Sequence, residues 1–101
     1  ALGAEVDHFD EDGSYGELKA GIGFAAHSHV ERHLDLSFHR NEAGALPSGF
    51  ELDLAVDDVD AVFARAIEAG ATAVWEPRDK AWGRSGLIRD PDGVFVHLTE
   101  A

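Results

Sequence analysis

Residues 50–70, "FELDLAVDDVDAVFARAIEAG", decide the architecture of this chain. Alternation over the first seven puts Phe50, Leu52, Leu54 and Val56 on one face and Glu51, Asp53 and Ala55 on the other, as in a strand with one buried side. Val59, Val62, Phe63, Ala66 and Ile67 then recur at helical spacing. Asp58 stands where an N-cap is needed and Gly70 where the chain must leave the helix. The apolar face of the strand receives the helix, which leaves Glu51 and Asp53 on the side turned away from it.

Working outward, "ATAVWEP" at 71–77 reads as a second strand. "RSGLIRDPDGVFVHLTE" at 84–100 reads as a hairpin whose turn, "DPDG", has proline, aspartate and glycine where a tight turn requires them. The second half is therefore β-α-β-β-β. The first half carries three strand-like stretches, "LGAEVDHF", "SYGELKAG" and "GIGFAAHSH", followed by a polar connection from Val30 to Gly49 with little periodicity. "LGAEV" aligns with "AGATAV", "YGELK" with "WGRSGLI" and "GIGFAAHS" with "GVFVHLTE", a weak internal repeat.

Composition narrows the function classes. The chain has 101 residues, 45% of them apolar, enough for one domain with one modest core. Its 20 acidic and 8 basic residues leave a formal charge of −12, which repels phosphate backbones and argues against nucleic acid as a partner. It has no cysteine, so disulfides and thiolate metal sites are excluded. No apolar run approaches the roughly 20 residues of a membrane span, and no signal-peptide pattern is present, so a soluble cytoplasmic protein is expected. The nucleophile elbow, the phosphate loop and the dinucleotide fingerprint are all missing.

The run from Leu54 to Glu100 resembles the second module of the vicinal oxygen chelate superfamily, which includes glyoxalases, bleomycin-resistance proteins, fosfomycin-resistance enzymes and extradiol dioxygenases. The matching signals are V-x-D-V-D-A at 56–61, E-A-G-A at 68–71, W-G at 82–83 and R-D-P-D-G-x-x-x-x-L at 89–98. The resemblance implies an α+β fold: a complete βαβββ module at 50–101 joined through a connection at 30–49 to a partial first module of three strands at 1–29. Together these would form one domain with a cup-shaped mixed sheet. The family's first strand and helix have no counterpart here, and Leu18, Ile22, Phe24 and Ala26 would then lack cover. A homodimer, with exchange of elements as one form, is the expected remedy. A segment preceding Ala1 is the other, since the sequence does not begin with methionine.

The resemblance also implies a divalent metal in the cup, with Zn, Ni, Mn or Fe as the candidates, held by residues on the opening and closing strands of each module. In the second module these positions map to Glu51 and His97, and in the first the closing position maps to Gly23, which cannot ligate. Strand parity from Gly23 would bring His27, and with it His29, to the same cup, beside Asp53 and Glu51. Against a metal stands a structural pair of Glu51 with His97 across the sheet. Two further readings of "HSHVERH" compete: a zinc or nickel arrangement of His27, His29 and His33, or a solvated loop. His8 and His39 carry no motif. Trp82, Phe95 and Tyr15, with Trp75, could make flat walls around an aromatic or cationic ligand, although Trp75 and Phe95 would serve equally as core. Arg84 could meet an anionic substrate, and Arg89 reads as a salt bridge within the turn, beside Asp90 and Asp92.

Three functions remain. The first is a small-molecule-binding protein of the bleomycin-resistance type, binding or sequestering a small organic ligand, with a cationic one as an option, without chemistry at Glu51, Asp53, Trp82, Phe95, His97 and Tyr15. The second is a metal-dependent lyase, isomerase or dioxygenase with Glu51 and His97 as ligands, His27 as a further candidate and the remaining ligands supplied by another chain. The third is a structural or regulatory interaction subunit. The first is favoured, because the first module lacks ligand-type residues and the chain is strongly acidic.

Overall fold

The computed structural model describes residues 2–34 and 37–101. It divides into two compact units, Gly3–Arg40 and Asn41–Ala101, the latter including Leu2. In the first, strands β1 (Val6–Phe9), β2 (Tyr15–Leu18) and β3 (Gly23–Ala25) form an antiparallel sheet in that order. Helix α1 (His27–Leu34) follows.

This helix departs from the sequence reading, which carried a strand through His29 and a loop beyond. The carbonyl of Ala26 accepts from the amides of His29 and Val30 at 2.9 and 3.2 Å, starting a helical turn where the His-x-His alternation suggested a pleat. No residue of α1 is fully buried, and its apolar positions are only Val30 and Leu34, too few for a helical period to stand out in the sequence. His29 and His33 consequently lie one helical turn apart, with ring centroids at 4.5 Å.

The second unit is the βαβββ module. Strand β4 (Glu51–Val56) leads into α2 (Val59–Glu68), then β5 (Thr72–Lys80), β6 (Gly83–Arg89) and β7 (Phe95–Glu100). The sheet order is β4-β7-β6-β5, with β4 parallel to β7 and the other pairs antiparallel. The strands joined through α2 thus occupy the two edges, and the helix lies across one face of the sheet. The fold class is α+β, as expected, with its strands divided between two sheets.

The core forms where α2 meets that face. Val59, Val62, Phe63 and Ala66 of the helix pack with Ile88, Val96 and Leu98 of β6 and β7, all nearly or wholly buried. Leu54 and Val56 flank this cluster from β4, whereas Ile67, counted with the apolar stripe in the sequence, is 37% exposed. Gly86 permits the close approach: a Cβ there would come within 3.1 Å of the Phe63 ring.

The ends of α2 follow from its flanking residues. Asp58, in extended conformation, accepts from the amide of Ala61 at 3.1 Å, and the Glu100 carboxylate accepts from Val59 at 3.3 Å. Gly70 (φ 114°) takes the chain out in the left-handed region, and Ala71 donates back to the Ala66 carbonyl at 3.0 Å. Arg84 is not left for an anionic substrate. It grips Asp60 of α2 through two bonds of 2.7 and 2.8 Å and reaches Asp79 of β5 at 3.2 Å, tying helix to sheet. Arg89 makes no turn salt bridge; it donates to the carbonyls of Gly93 at 2.9 Å and Ala45 at 2.6 Å. The Asp90 side chain instead accepts from the amides of Asp92 and Val94, both at 2.9 Å, closing the turn.

Replacing the helix cap, Asp58→Ala, is predicted to lower stability by about 1 kcal/mol. Urea unfolding followed by circular dichroism measures this; an unchanged midpoint would show that Glu100 alone supports the helix start.

Candidate functional site

With α2 on one face of the four-stranded sheet, the opposite face carries the residues that alternate away from the core. Cross-strand register lines up Asp53, His97, Leu87 and Trp75 in one row across all four strands. The next row is Glu51, Phe95, Arg89 and Thr72. Ser85 pairs with both Thr99 and Arg78 on the other side of the His97 row.

His97 is the centre of this face. Its Nδ1 lies 3.2 Å from an oxygen of Asp53 and 3.6 Å from one of Glu51, and its side chain is only 15% exposed. The rings of Trp75 and Trp82 meet the imidazole edge-on at 5.8 and 6.1 Å. Trp82 stays 59% exposed, yet its indole N–H donates to the Ser85 hydroxyl at 3.1 Å, and Ser85 is fully buried. Two indoles and two carboxylates therefore surround one imidazole.

Trp75 reaches this position through an irregular strand. Ala73 pairs with Ile88 and Trp75 with Leu87, so β5 advances two residues while β6 advances one. Simple alternation from Ala73 would have aimed Trp75 at the helix side with Ile88; the bulge turns it to the open face. A second irregularity between Trp75 and Arg78 keeps Arg78 on that same face, opposite Ser85. Lys80, two residues on, follows Arg78. The Arg78 guanidinium carbon lies 4.8 Å from the Trp75 ring centroid, and the Lys80 ammonium lies 5.0 Å from Trp75 and 5.5 Å from Trp82. These two cations were not singled out in the sequence, because bulges are invisible to a period-two reading.

The two carboxylates influence each other. The carboxyl of Glu51 is pushed above the ordinary glutamate range, first by its hydrogen bond with Asp53, then by partial desolvation and by the Asp53 charge, with His97 pulling the other way. The oxygens of Glu51 and Asp53 and a ring nitrogen of His97 all lie within 4.8 Å of one another, a geometry that can hold a cation. One other such cluster occurs among the described residues, Asp58, Asp60 and Glu100. Its members are already engaged in capping α2 and holding Arg84.

Of the residues expected at the site, Glu51, Asp53, His97 and Trp82 come together, and Phe95 lies on the same face beneath the Arg89 guanidinium at 5.9 Å. Trp75 joins them instead of the core. His27 and Tyr15 belong to the other unit. His27 opens α1, where its ring meets Phe38 at 5.4 Å, and it belongs to neither metal-capable cluster. The strand parity that assigned it as a ligand ends at Ala25, because the chain turns into a helix. Tyr15 donates to Glu17 at 2.8 Å and stacks on His29 at 5.2 Å.

The sequence pattern of the glyoxalase-like domain family matches residues 1–99. This chain belongs to that family. Uncharacterized proteins of Mycobacterium bovis and Mycobacterium tuberculosis are 51% identical to this glyoxalase-like domain over 43 residues, 42% of its length. The match spans 28% and 25% of those two relatives, about a quarter of their length. Among solved structures, a hypothetical protein from Staphylococcus aureus superimposes with a TM-score of 0.76 at 18% identity, over 99% of this chain and 78% of that one. A glyoxalase/bleomycin resistance protein/dioxygenase family enzyme from Burkholderia phytofirmans gives 0.69 at 22% identity, over 98% and 80%. At such identities the likeness is one of fold, and function depends on the site. No helix among the described residues is long and apolar enough to cross a membrane.

The proximity of Glu51 and Asp53 sets a pH dependence. A carboxyl whose pKa is raised on folding adds stability that is full below its unfolded value and lost as pH rises through its folded value. Wild-type stability is predicted to decline over the interval just above the ordinary glutamate range, and Glu51→Gln to flatten that decline. Urea midpoints measured across that interval decide it; identical pH profiles for the two proteins would show that the pair carries no strain.

Proposed function

We propose that this glyoxalase-like domain binds a small organic ligand on the open face of its four-stranded sheet, in the manner of a binding or sequestering protein. The observation that carries this reading is the setting of His97, flanked by the indoles of Trp75 and Trp82 and by the carboxylates of Asp53 and Glu51. The exposed ring of Trp82 and the partly buried ring of Trp75 beside the imidazole offer a flat apolar surface with a few directional polar groups, the usual make-up of a ligand site. The acidic edge at Glu51 and Asp53 suits a cationic or hydrogen-bond-donating group on the ligand.

A metal-dependent lyase, isomerase or dioxygenase is the second reading, favoured by the three-ligand cluster. One imidazole and two carboxylates make a donor set for a divalent ion such as Zn, Mn, Fe or Ni, with positions left open for other ligands. The residues fit such an ion: positive charge would relieve the crowding of the Glu51 and Asp53 carboxyls, whose oxygens lie with a His97 ring nitrogen within 4.8 Å of one another. Glu51, Asp53 and His97 would hold the ion, and it would supply Lewis-acid polarisation of a substrate oxygen.

Elemental analysis after dialysis against each metal, on wild type and on the Glu51→Ala, His97→Ala double variant, separates these readings. About one metal per chain, lost in the variant, would move the assignment to a metal-dependent enzyme. The binding reading predicts no retained metal together with tryptophan fluorescence that responds to small aromatic ligands and stops responding in Trp82→Ala. A fluorescence signal indifferent to every aromatic ligand would sink it.

We further propose that the protein is a homodimer. Val6 and Phe9 on β1 and Phe24 on β3 are 54–67% exposed, an apolar surface that a second copy can cover. Light scattering on the eluting protein is expected to return twice the chain mass; a monomer at every concentration tested would refute the dimer.

A further inference from the structure

The open face separates charge across its width. Glu51 and Asp53 stand on β4 at one edge, and Arg78 and Lys80 stand on β5 at the other, with Trp75, Trp82 and His97 between them. We infer that the ligand is amphoteric: its cationic or donor end meets Glu51 and Asp53, its flat body lies against the exposed indole of Trp82, and its anionic group binds Arg78 and Lys80. This rests on the proposed ligand-binding reading of the same face and assigns the chemistry of each end.

The pairing of the cations is informative. In a chain with 20 carboxylate side chains, neither Arg78 nor Lys80 has a carboxylate oxygen within 4.0 Å among the described residues, whereas Lys19, Arg40 and Arg84 each do. Asp79, between them in sequence, points to the opposite face, where Arg84 takes it up. Strand alternation thus withdraws the nearest carboxylate, and the bulge before Arg78 places both cations on the indoles. Lys80, half-buried between two rings, has lost part of its hydration, and an anion arriving there meets a charge with no carboxylate to displace among the described residues.

The same arrangement disfavours ligands of a single sign. A simple cation seeking the indoles finds Arg78 and Lys80 already against Trp75. A simple anion spread over the face would approach Glu51 and Asp53. Three interstrand spacings of about 4.8 Å separate the two edge strands, roughly 14 Å before the side chains reach inward. This span accommodates one ring with a charged group at each end.

The test uses calorimetric titration with three matched probes: para-aminomethylbenzoate, benzoate and benzylamine. Each is titrated into wild type, the Arg78→Gln, Lys80→Gln double variant, and Trp82→Ala. The amphoteric probe is expected to bind wild type about tenfold more tightly than either singly charged probe, since each charge-assisted contact has that order of effect. The double variant should lose this advantage, weakening benzoate and strengthening benzylamine, for which the indoles are then free of a competing cation. Equal affinity of the amphoteric probe for wild type and the double variant, or tighter binding of benzylamine than of the amphoteric probe, would overturn the assignment of an anionic end. If benzylamine binding still depends on Trp82, the ligand-binding reading survives that result. If no probe distinguishes wild type from Trp82→Ala, the ligand-binding reading and the amphoteric assignment fail together.

Discussion

The packing of α2 on one face of the β4-β7-β6-β5 sheet is the constraint on which the rest of the second unit depends. Phe63 sits over Gly86, and Val59, Val62 and Ala66 close on Ile88, Val96 and Leu98. Burying these side chains removes apolar surface from water, each full-sized one contributing about 1.5–3 kcal/mol. Because strand side chains alternate, this packing also decides what the other face carries. Once Leu52, Leu54 and Val56 turn toward the helix, Glu51 and Asp53 must turn away, and once Val96 and Leu98 turn inward, His97 must turn out. A one-residue slip of β7 would dismantle core and site together.

Electrostatics then divides the charged groups between the two faces. On the helix side Arg84 draws Asp60 and Asp79 into one cluster and holds the Asp60 carboxyl below its ordinary range. That group stays ionised further into acid than an unpaired aspartate. On the open side no arginine or lysine reaches Glu51 or Asp53 among the described residues, and the two carboxyls answer each other through the hydrogen bond between them, with His97 beside both. One face contains a neutralised, structural charge cluster and the other an unneutralised one. Unneutralised charge arranged around aromatic rings is the property on which the proposed ligand site rests.

The face that carries His97 leaves Trp82 more than half exposed. Its precision comes from the floor. Ser85 anchors the Trp82 indole, the two bulges of β5 bring Trp75, Arg78 and Lys80 to one side, and the hairpin turn stapled by Asp90 sets the register of β6 on β7. Gly93, at φ 87°, belongs to that turn; a Cβ there would run into the carbonyl of Glu42 and the guanidinium of Arg89.

The sequence by itself determined the βαβββ order, the helix with its cap and its exit, the hairpin turn, and the outward orientation of Glu51, Asp53 and His97. Each of these follows from local periodicity or from turn chemistry within a few residues. The tertiary structure decided what periodicity cannot carry. Trp75 faces the site because a bulge resets the parity of β5, and bulges leave no mark on a period-two pattern. His27 and His29 lie on a helix because the Ala26 carbonyl gathers the following amides, in a segment with only Val30 and Leu34 as apolar markers and no fully buried residue. Arg84 and Arg89, similar in sequence context, diverge because one meets an aspartate of α2 and the other meets the carbonyl of a residue 44 positions away. Sequence pattern reports which side of an element is apolar; which distant group a polar side chain finds is settled only when the elements are packed together.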